Sequence, residues 1–484
     1  MSKVRYFGHS LLWLCTVSLV VIAVFFTVTR VAISTASSYK VNVERLISHQ
    51  IGKEVTIEDF SASYEGFKPQ LKLDGVKLIF ADKKVPPLSI GQIKVSFDFS
   101  TILLGRLTPE KMVLSDTSLS IKRFQDGHIS IIGLQQSAEE ERVAGDFSWL
   151  LDDGTFEIIN SHLVWKDEQK NLPDLELENG SLVLQNNGAV HTLSLRAVLP
   201  GLSEKPIKFI ASVKGDVLSS NKWDAEGYLK AERVNLLAIV KRLNIAPFDV
   251  KDGFADLEIW NSWKQAEVVQ IKGRISVENT NLFYKKAAFE VKESSSWFAW
   301  NKLSKGWGLS LGELSFQIDD MTQTESKAYV EFIPGEVSDF SMTLKSTGFD
   351  INVLAEVLGQ SPVIDSTDKK MLQGLNPKGR VEYVDAKLSR LHEQYDWGVC
   401  GKLRGYSNQA IDSIPETSNI SASVCSTHEG GWAELETSSA SVDLKELFIE
   451  PLQLDDLQGL VTWKKLDAGW EINSDYLQVN TPHI

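Results

Sequence analysis

Apolar and polar residues alternate with a period of two along most of this chain, the spacing that gives a β-strand one oily and one wet side. The clearest run is Ile93, Val95, Phe97 and Phe99, with Lys94, Ser96 and Asp98 between them. The same rhythm occurs at Leu71 and Leu73, at Phe156 and Ile158, and at Leu193 and Leu195. It returns at Phe209, Ala211 and Val213, at Leu257 and Ile259, and at Leu309 and Leu311. Asp126-Gly127, Asp153-Gly154, Asn179-Gly180, Asn187-Gly188 and Gly215 supply turn signals between runs, so Leu175/Leu177 and Leu182/Leu184 read as separate strands. Many short strands at this spacing predict an antiparallel, mainly β body.

Helical spacing is rarer. Tyr39 to Gln50 reads as an amphipathic helix, with Val43, Leu46, Ile47 and His49 on one side and Gly52 as its stop. Three strand runs then pass into short apolar helices, at Ser100–Gly105, after Asn235, and after Asp350. Asn235 and Asp350 are N-cap candidates, and Gly359 is placed to close the third helix. This weak repeat suggests serial units over residues 36–135, 146–245, 246–360 and 371–484. The polar stretches 135–145 and 359–370 read as exposed loops.

The first thirty residues set the compartment. Residues 11–29 hold an uncharged apolar run that includes Leu11, Trp13, Leu19, Val21, Phe25 and Phe26, about the length that crosses a bilayer as a helix. Lys3 and Arg5 precede it, which keeps residues 1–10 in the cytoplasm and exports the body. A cleaved signal ending near Ala36 is the rival reading, disfavoured by the length of the run and by Arg30.

Composition then narrows the function. The chain has 484 residues, 43% of them hydrophobic and 24% charged, as in an ordinary folded protein. A net charge of −14 without a basic cluster argues against nucleic acid as a partner. The eight histidines are scattered, and no Cys-x-x-Cys, phosphate-binding loop or nucleophile elbow occurs. The pairs Asp152-Asp153, Asp319-Asp320 and Asp455-Asp456 read as turn residues. An enzyme is therefore not expected, and no metal, nucleotide or other cofactor is called for. Cys400 and Cys425 could face each other across a hairpin. Two unpaired buried thiols are the default, because sequence does not bring their Cα atoms within about 7 Å. Of the thirteen tryptophans, the twelve beyond Trp13 either fill a β core or line a wide apolar interior.

The order of these features resembles the YhdP branch of the AsmA-like family of bacterial envelope proteins. The resemblance rests on Gly52, Val55 and Ile57, followed by Ala62, Tyr64, Gly66, Pro69 and Leu71, with Tyr64 where the family more often has Trp. It continues through Trp223–Leu229 ahead of Asn235, and through Leu375–Val381. It implies an inner-membrane protein with its body in the periplasm. It also implies an elongated, strongly curved antiparallel sheet forming a groove, and conduction of phospholipid toward the outer membrane. Members are longer, so it implies an N-terminal portion that meets envelope proteins through a missing C-terminal part. Leu71, Leu73, Ile93, Val95, Phe97, Phe99, Phe209, Ala211, Val213, Leu257, Ile259, Leu309 and Leu311 are the expected groove lining. Roughly two dozen strands at about 4.8 Å each would extend such a groove about 110 Å. The competing readings are a closed-core structural or assembly factor of the envelope and an exported hydrolase or glycan-binding protein.

Overall fold

A computed structural model of the chain describes residues 12–21, 23–24, 27, 36–51, 53–65, 68–79, 87–98, 109–125, 129–131, 151, 153–217, 222–243, 248–284, 287–336, 338–360, 366–412, 414–445, 448–466 and 469–482. The chain divides into two compact units, the first running to Pro200 with Pro206–Gly215 added, the second comprising Gly201–Lys205 and everything from Asp216.

The first unit contains helix α1 (Lys40–Ile51), entered through a 3-10 turn at Ala36–Tyr39, and ten strands. These are β1 (Glu54–Thr56), β2 (Asp59–Glu65), β3 (Lys68–Ile79), β4 (Leu88–Phe97), β5 (Pro109–Arg123), β6 (Ile129–Ile131), β7 (Gly154–Asp167), β8 (Leu172–Asn187), β9 (Val190–Val198) and β10 (Ile207–Gly215). β1 and β2 pair with β3 in one continuous register, and β3–β4–β5 and β7–β8–β9–β10 follow as antiparallel neighbours. β5 and β7 instead run parallel. This corrects the all-antiparallel expectation: a parallel pair needs a connection of a dozen or more residues, and Arg123 and Gly154 stand farther apart than that in the chain.

α1 closes the outer edge of β1. The Val55 amide donates to Ser48 Oγ at 2.9 Å and the Ile57 amide to Glu44 Oε1 at 2.8 Å, so edge donors meet a helix in place of another strand. Val43 and Ile47 of α1 pack on a buried cluster of Val55, Ile57, Phe60, Leu73, Val76, Leu78 and Ile90. Leu46, expected on that packed side, is 64% exposed. The contact stripe is narrower than the apolar stripe, because one i, i+4 pair suffices to reach the cluster.

The second unit contains β11 (Trp223–Asn235), α2 (Leu236–Leu243), β12 (Phe248–Val250), β13 (Phe254–Lys264), β14 (Glu267–Tyr284), β15 (Ala287–Lys302), β16 (Trp307–Ile318), β17 (Met321–Pro334) and β18 (Phe340–Asp350). After α3 (Ile351–Gln360) and α4 (Ser366–Leu375) come β19 (Lys378–Leu391), β20 (Gln394–Asn408), β21 (Glu416–Thr427), β22 (Gly430–Asp443), β23 (Leu452–Leu466) and β24 (Gly469–Asn480). The ladder from β13 to β24 is antiparallel between chain neighbours, with β11 on β13 and β12 beside β13 on β14. Helices interrupt the chain without interrupting the ladder: β18 and β19 pair directly although α3 and α4 lie between them. Asn235 caps α2 as predicted, its Oδ1 accepting from the Ala238 amide at 3.1 Å. Residues 366–370, expected in a loop, belong to α4.

Left-handed residues recur inside the strands. Asp116, Asn160 and Asn179 lie on β5, β7 and β8, and Arg233, Asn279, Gly348, Gly379, Gly405, Asn419 and Ser439 lie in the second unit. Register shifts accompany many of them, the mark of β-bulges, which bend and twist a strand. Asn179-Gly180 is such a bulge within β8 and not a hairpin turn, so the two runs beside it form one strand. Asn187-Gly188 does make a turn, joining β8 to β9. Gly253, in the turn between β12 and β13, is closed to a side chain. Its φ is +114°, and a Cβ there would run into Thr280 Oγ1. Buried side chains gather beside the bulges, including Ala231, Val234 and Ala255, then Val381, Ala422 and Ala440.

The pair left open in sequence is bonded. Cys400 and Cys425 stand directly opposite on β20 and β21, with Cα atoms 4.1 Å apart, and form a disulfide. Register, which sequence does not report, brought them together. Denatured and unreduced, the protein should therefore expose a single alkylatable thiol, Cys15, by mass spectrometry. Replacing both partners with serine opens a loop with a sequence separation of 25 and should destabilise the second unit by about 3 kcal/mol in urea melts.

At one end of β5 and β7, Arg123 donates twice to Asp167, whose side chain is 4% exposed. The guanidinium bond, above all, holds the Asp167 carboxyl below its ordinary range. A carboxylate lowered on folding stabilises fully above its unfolded pKa, about 3.9, and loses that contribution as pH falls through the folded value. Asp167→Asn should flatten the acid limb of the first unit's stability-versus-pH curve below about pH 4, while leaving its slope above about pH 5 unchanged.

Candidate functional site

Cross-strand partners lie on one face of a sheet, so register converts the alternation in sequence into rows in space. In the first unit one row runs Leu71, Val95, Met112, Phe156, Leu184, Leu193, Ala211 from β3 to β10. Beside it runs Leu73, Ile93, Leu114, Ile158, Leu182, Leu195, Phe209. Neither row contains a polar side chain. At about 4.8 Å per strand, each covers about 29 Å.

The second unit repeats the arrangement at greater length. One row reads Leu229, Ile259, Gly273, Phe298, Leu311, Ala328, Ser346, Val384, Gly401, Val424, Ala433, Val461. Its neighbour reads Asn261, Ile271, Trp300, Leu309, Val330, Leu344, Ala386, Val399, Ser426, Gly431, Trp463, Ile472. A third, nearer the hairpin ends, joins Trp307, Phe332, Met342, Leu388 and Trp397. Neighbouring rings touch there, with Trp307 and Phe332 centroids 5.8 Å apart and Phe332 and Phe340 centroids 5.9 Å apart. Two aromatic rings settle over glycines of the face: Phe298 lies against Gly273, and the Trp463 indole against Gly431.

Burial separates this face from a protein core. Leu73 and Ile158 are buried, but the other members of the first unit's two rows are half-buried. In the second unit no hydrophobic side chain of the two long rows is buried, and Ile472 is 70% exposed. Nor is any described tryptophan buried. The indoles are not core fillers here, since large side chains that fill a β core fall below a tenth exposed. Leaving such residues half wet forgoes on the order of 1 kcal/mol each.

The opposite face carries the charges. Lys72–Asp74, Lys111–Glu157, Lys345–Asp385 and Lys402–Glu436 pair there at 2.8, 3.0, 3.4 and 3.2 Å. The disulfide lies in the same row as Lys345 and Asp385. Such exposed pairs add little stability but keep this side wet.

The residues predicted to line a groove divide accordingly. Leu71, Ile93, Val95, Phe209 and Ala211 share the half-buried apolar face of the first unit, and Leu257, Ile259, Leu309 and Leu311 that of the second. Leu73 also belongs to the buried cluster on which α1 packs, and Leu71 and Ile93 pack against that cluster from the face. Phe97 ends β4 opposite Pro109, and Val213 stands opposite His191, a buried histidine whose ring nitrogen lies 2.8 Å from Asn186 Oδ1. Phe99 lies outside the described residues, as do Leu11, Phe25 and Phe26 and the helix expected at Ser100–Gly105. Residues 12–21, 23–24 and 27 are helical, with Trp13, Leu19 and Val21 exposed at 72%, 69% and 60%. Among the described residues no helix is long and apolar enough to cross a membrane. Sequence reading missed Met112, Leu184, Phe298, Val384 and Val461 as members of the face, because membership is decided by the strand next door.

No curated protein and no solved structure matches this chain. A family model described as YhdP protein matches residues 1–484. The chain belongs to the YhdP family.

Proposed function

We propose that this protein conducts phospholipid along the apolar face of its ladder, from the inner membrane toward the outer membrane of a bacterial envelope. The observation that carries the reading is the burial of the rows: in each unit, rows of mainly apolar side chains, interrupted in the second by Asn261, Ser346 and Ser426, stay half wet. Stranding two acyl chains in water costs on the order of 20 kcal/mol at about 0.8 kcal/mol per CH₂, and a face of this kind supplies the missing contact. The row spacing supports a strip about 58 Å long over the strands of the second unit. Bulges repeated from strand to strand bend and twist the strands, and in this reading the ion pairs stay on the side away from the lipid.

In this reading the apolar run that includes Leu11, Trp13, Leu19, Val21, Phe25 and Phe26 anchors the chain in the inner membrane. Thr16 and Thr27 return their hydroxyls to the carbonyls of Leu12 and Ala23, both at 2.8 Å, which suits a helix in lipid. The disulfide favours an oxidising compartment for the body. α1, with Leu46 64% exposed and Tyr39 of the turn before it 57% exposed, stands next in sequence and would sit at the lipid's mouth into the face. Conduction asks for no catalytic group and no cofactor, and it makes phospholipid and the inner membrane the partners.

A photocrosslinking residue at Val95, Phe298 or Val461 should capture phospholipid in cells, whereas one at Lys345 on the charged face should not. Val95→Asp should keep its secondary structure and lose lipid capture by about tenfold or more. Equal capture from the two faces would sink the reading. Global unfolding by Val95→Asp would favour the closed-core envelope factor.

A further inference from the structure

One residue breaks the apolar phase of β19. Val384, Ala386 and Leu388 point to the apolar face, and Arg390 follows in the same phase. Its cross-strand neighbours are Phe340 on β18 and Tyr395 on β20, with the guanidinium carbon 5.7 Å from the Tyr395 ring centroid. Arg390 Nε is buried and has no hydrogen-bond partner among the described residues. Leaving a buried donor of a charged group unmade costs more than a hydrogen bond normally returns, so its retention calls for an acceptor. A second cation of this face makes the contrast: Lys302, opposite Trp307, is paired with Glu267.

The position suits a head group. Arg390 lies one residue from the end of β19, at the hairpin rim and far from the bulge at Gly379. From Arg390 inward to Val384 is about 20 Å at about 3.4 Å per residue. One leaflet's hydrocarbon is about 15 Å deep. An acyl tail laid along the strand past Leu388 and Ala386 therefore ends before the bulge, while a phosphate stays at the rim. The planar guanidinium offers a forked pair of donors to a phosphate, which a lysine does not.

The geometry points to Arg390 as a binding site for the phosphate ester of a phospholipid head group, seated on the rim between Phe340 and Tyr395 with the tails on the face below. This rests on the conduction reading and adds to it a point of head-group recognition. The test uses the full chain with a photocrosslinking residue at Met342, incubated with phosphatidylcholine vesicles carrying labelled phosphatidylglycerol or labelled diacylglycerol. Capture of the phosphate-bearing lipid should exceed that of diacylglycerol by about tenfold, the scale of a charge-assisted hydrogen bond. Arg390→Gln should bring the ratio close to one with diacylglycerol capture unchanged, and Arg390→Lys should restore part of it. An unchanged ratio in Arg390→Gln overturns the head-group site and leaves the apolar face standing. Failure of the parent chain to capture either lipid overturns both. Loss of phosphatidylglycerol capture on adding inorganic phosphate, against a matched chloride control, would reassign the site to a free anion and overturn the lipid assignment.

Discussion

Everything in this structure depends on hydrogen-bonded register between neighbouring strands. Period-two alternation in one strand gives only a local choice of sides. When each strand is locked so that Leu71 meets Val95, Val95 meets Met112 and Met112 meets Phe156, the choice becomes a continuous strip. A slip of one residue at any step would turn the oily residues of all later strands to the charged side. The bulges do not break this rule. They insert their extra residue on successive strands near one another, so that the rows on either side stay aligned.

The second constraint is what covers the strip, and the answer differs along the chain. At the start α1 covers it, and Leu73, Val76 and Leu78 are a small conventional core. Beyond that the rows, Ile158 apart, are half-buried or exposed, and buried residues gather beside the bulges. An ordinary domain would not leave so much apolar surface wet, because burying it is the main favourable term in folding. The ladder bonds, the small clusters beside the bulges and the cross-strand disulfide hold the strands instead, which frees the face for something other than protein. Arg390 sharpens the point, since a buried donor without a partner is as unusual as an apolar face without a cover.

Much of this could be read from the chain. The strand runs at Ile93–Phe97 and Leu309–Leu311, the helix near Tyr39–Gln50 and the cap at Asn235 rest on local chemistry, and the structure has them. Asn179-Gly180 was misread because a left-handed pair serves a bulge as well as a hairpin turn, and nothing local distinguishes them. The first turn and more of α4, residues 366–370, reads as a loop because its polar composition looks like one until α3 is beside it. Arg390 carried a signal, a charge in the apolar phase after Ala386 and Leu388, but its meaning needed Phe340 and Tyr395 from other strands.

By itself the sequence determined the element types, because backbone and side-chain periodicity are properties of a few neighbouring residues. It also determined that one side of most strands is oily, and it carries the order of features by which the chain belongs to its family. Tertiary structure decided which oily residues share a face, that Cys400 meets Cys425, that β5 and β7 run parallel, and that the face is left half wet. Those are relations between residues far apart in the chain. They are set by strand order and register, and alternation of period two is the same whether the face it makes is filled or open.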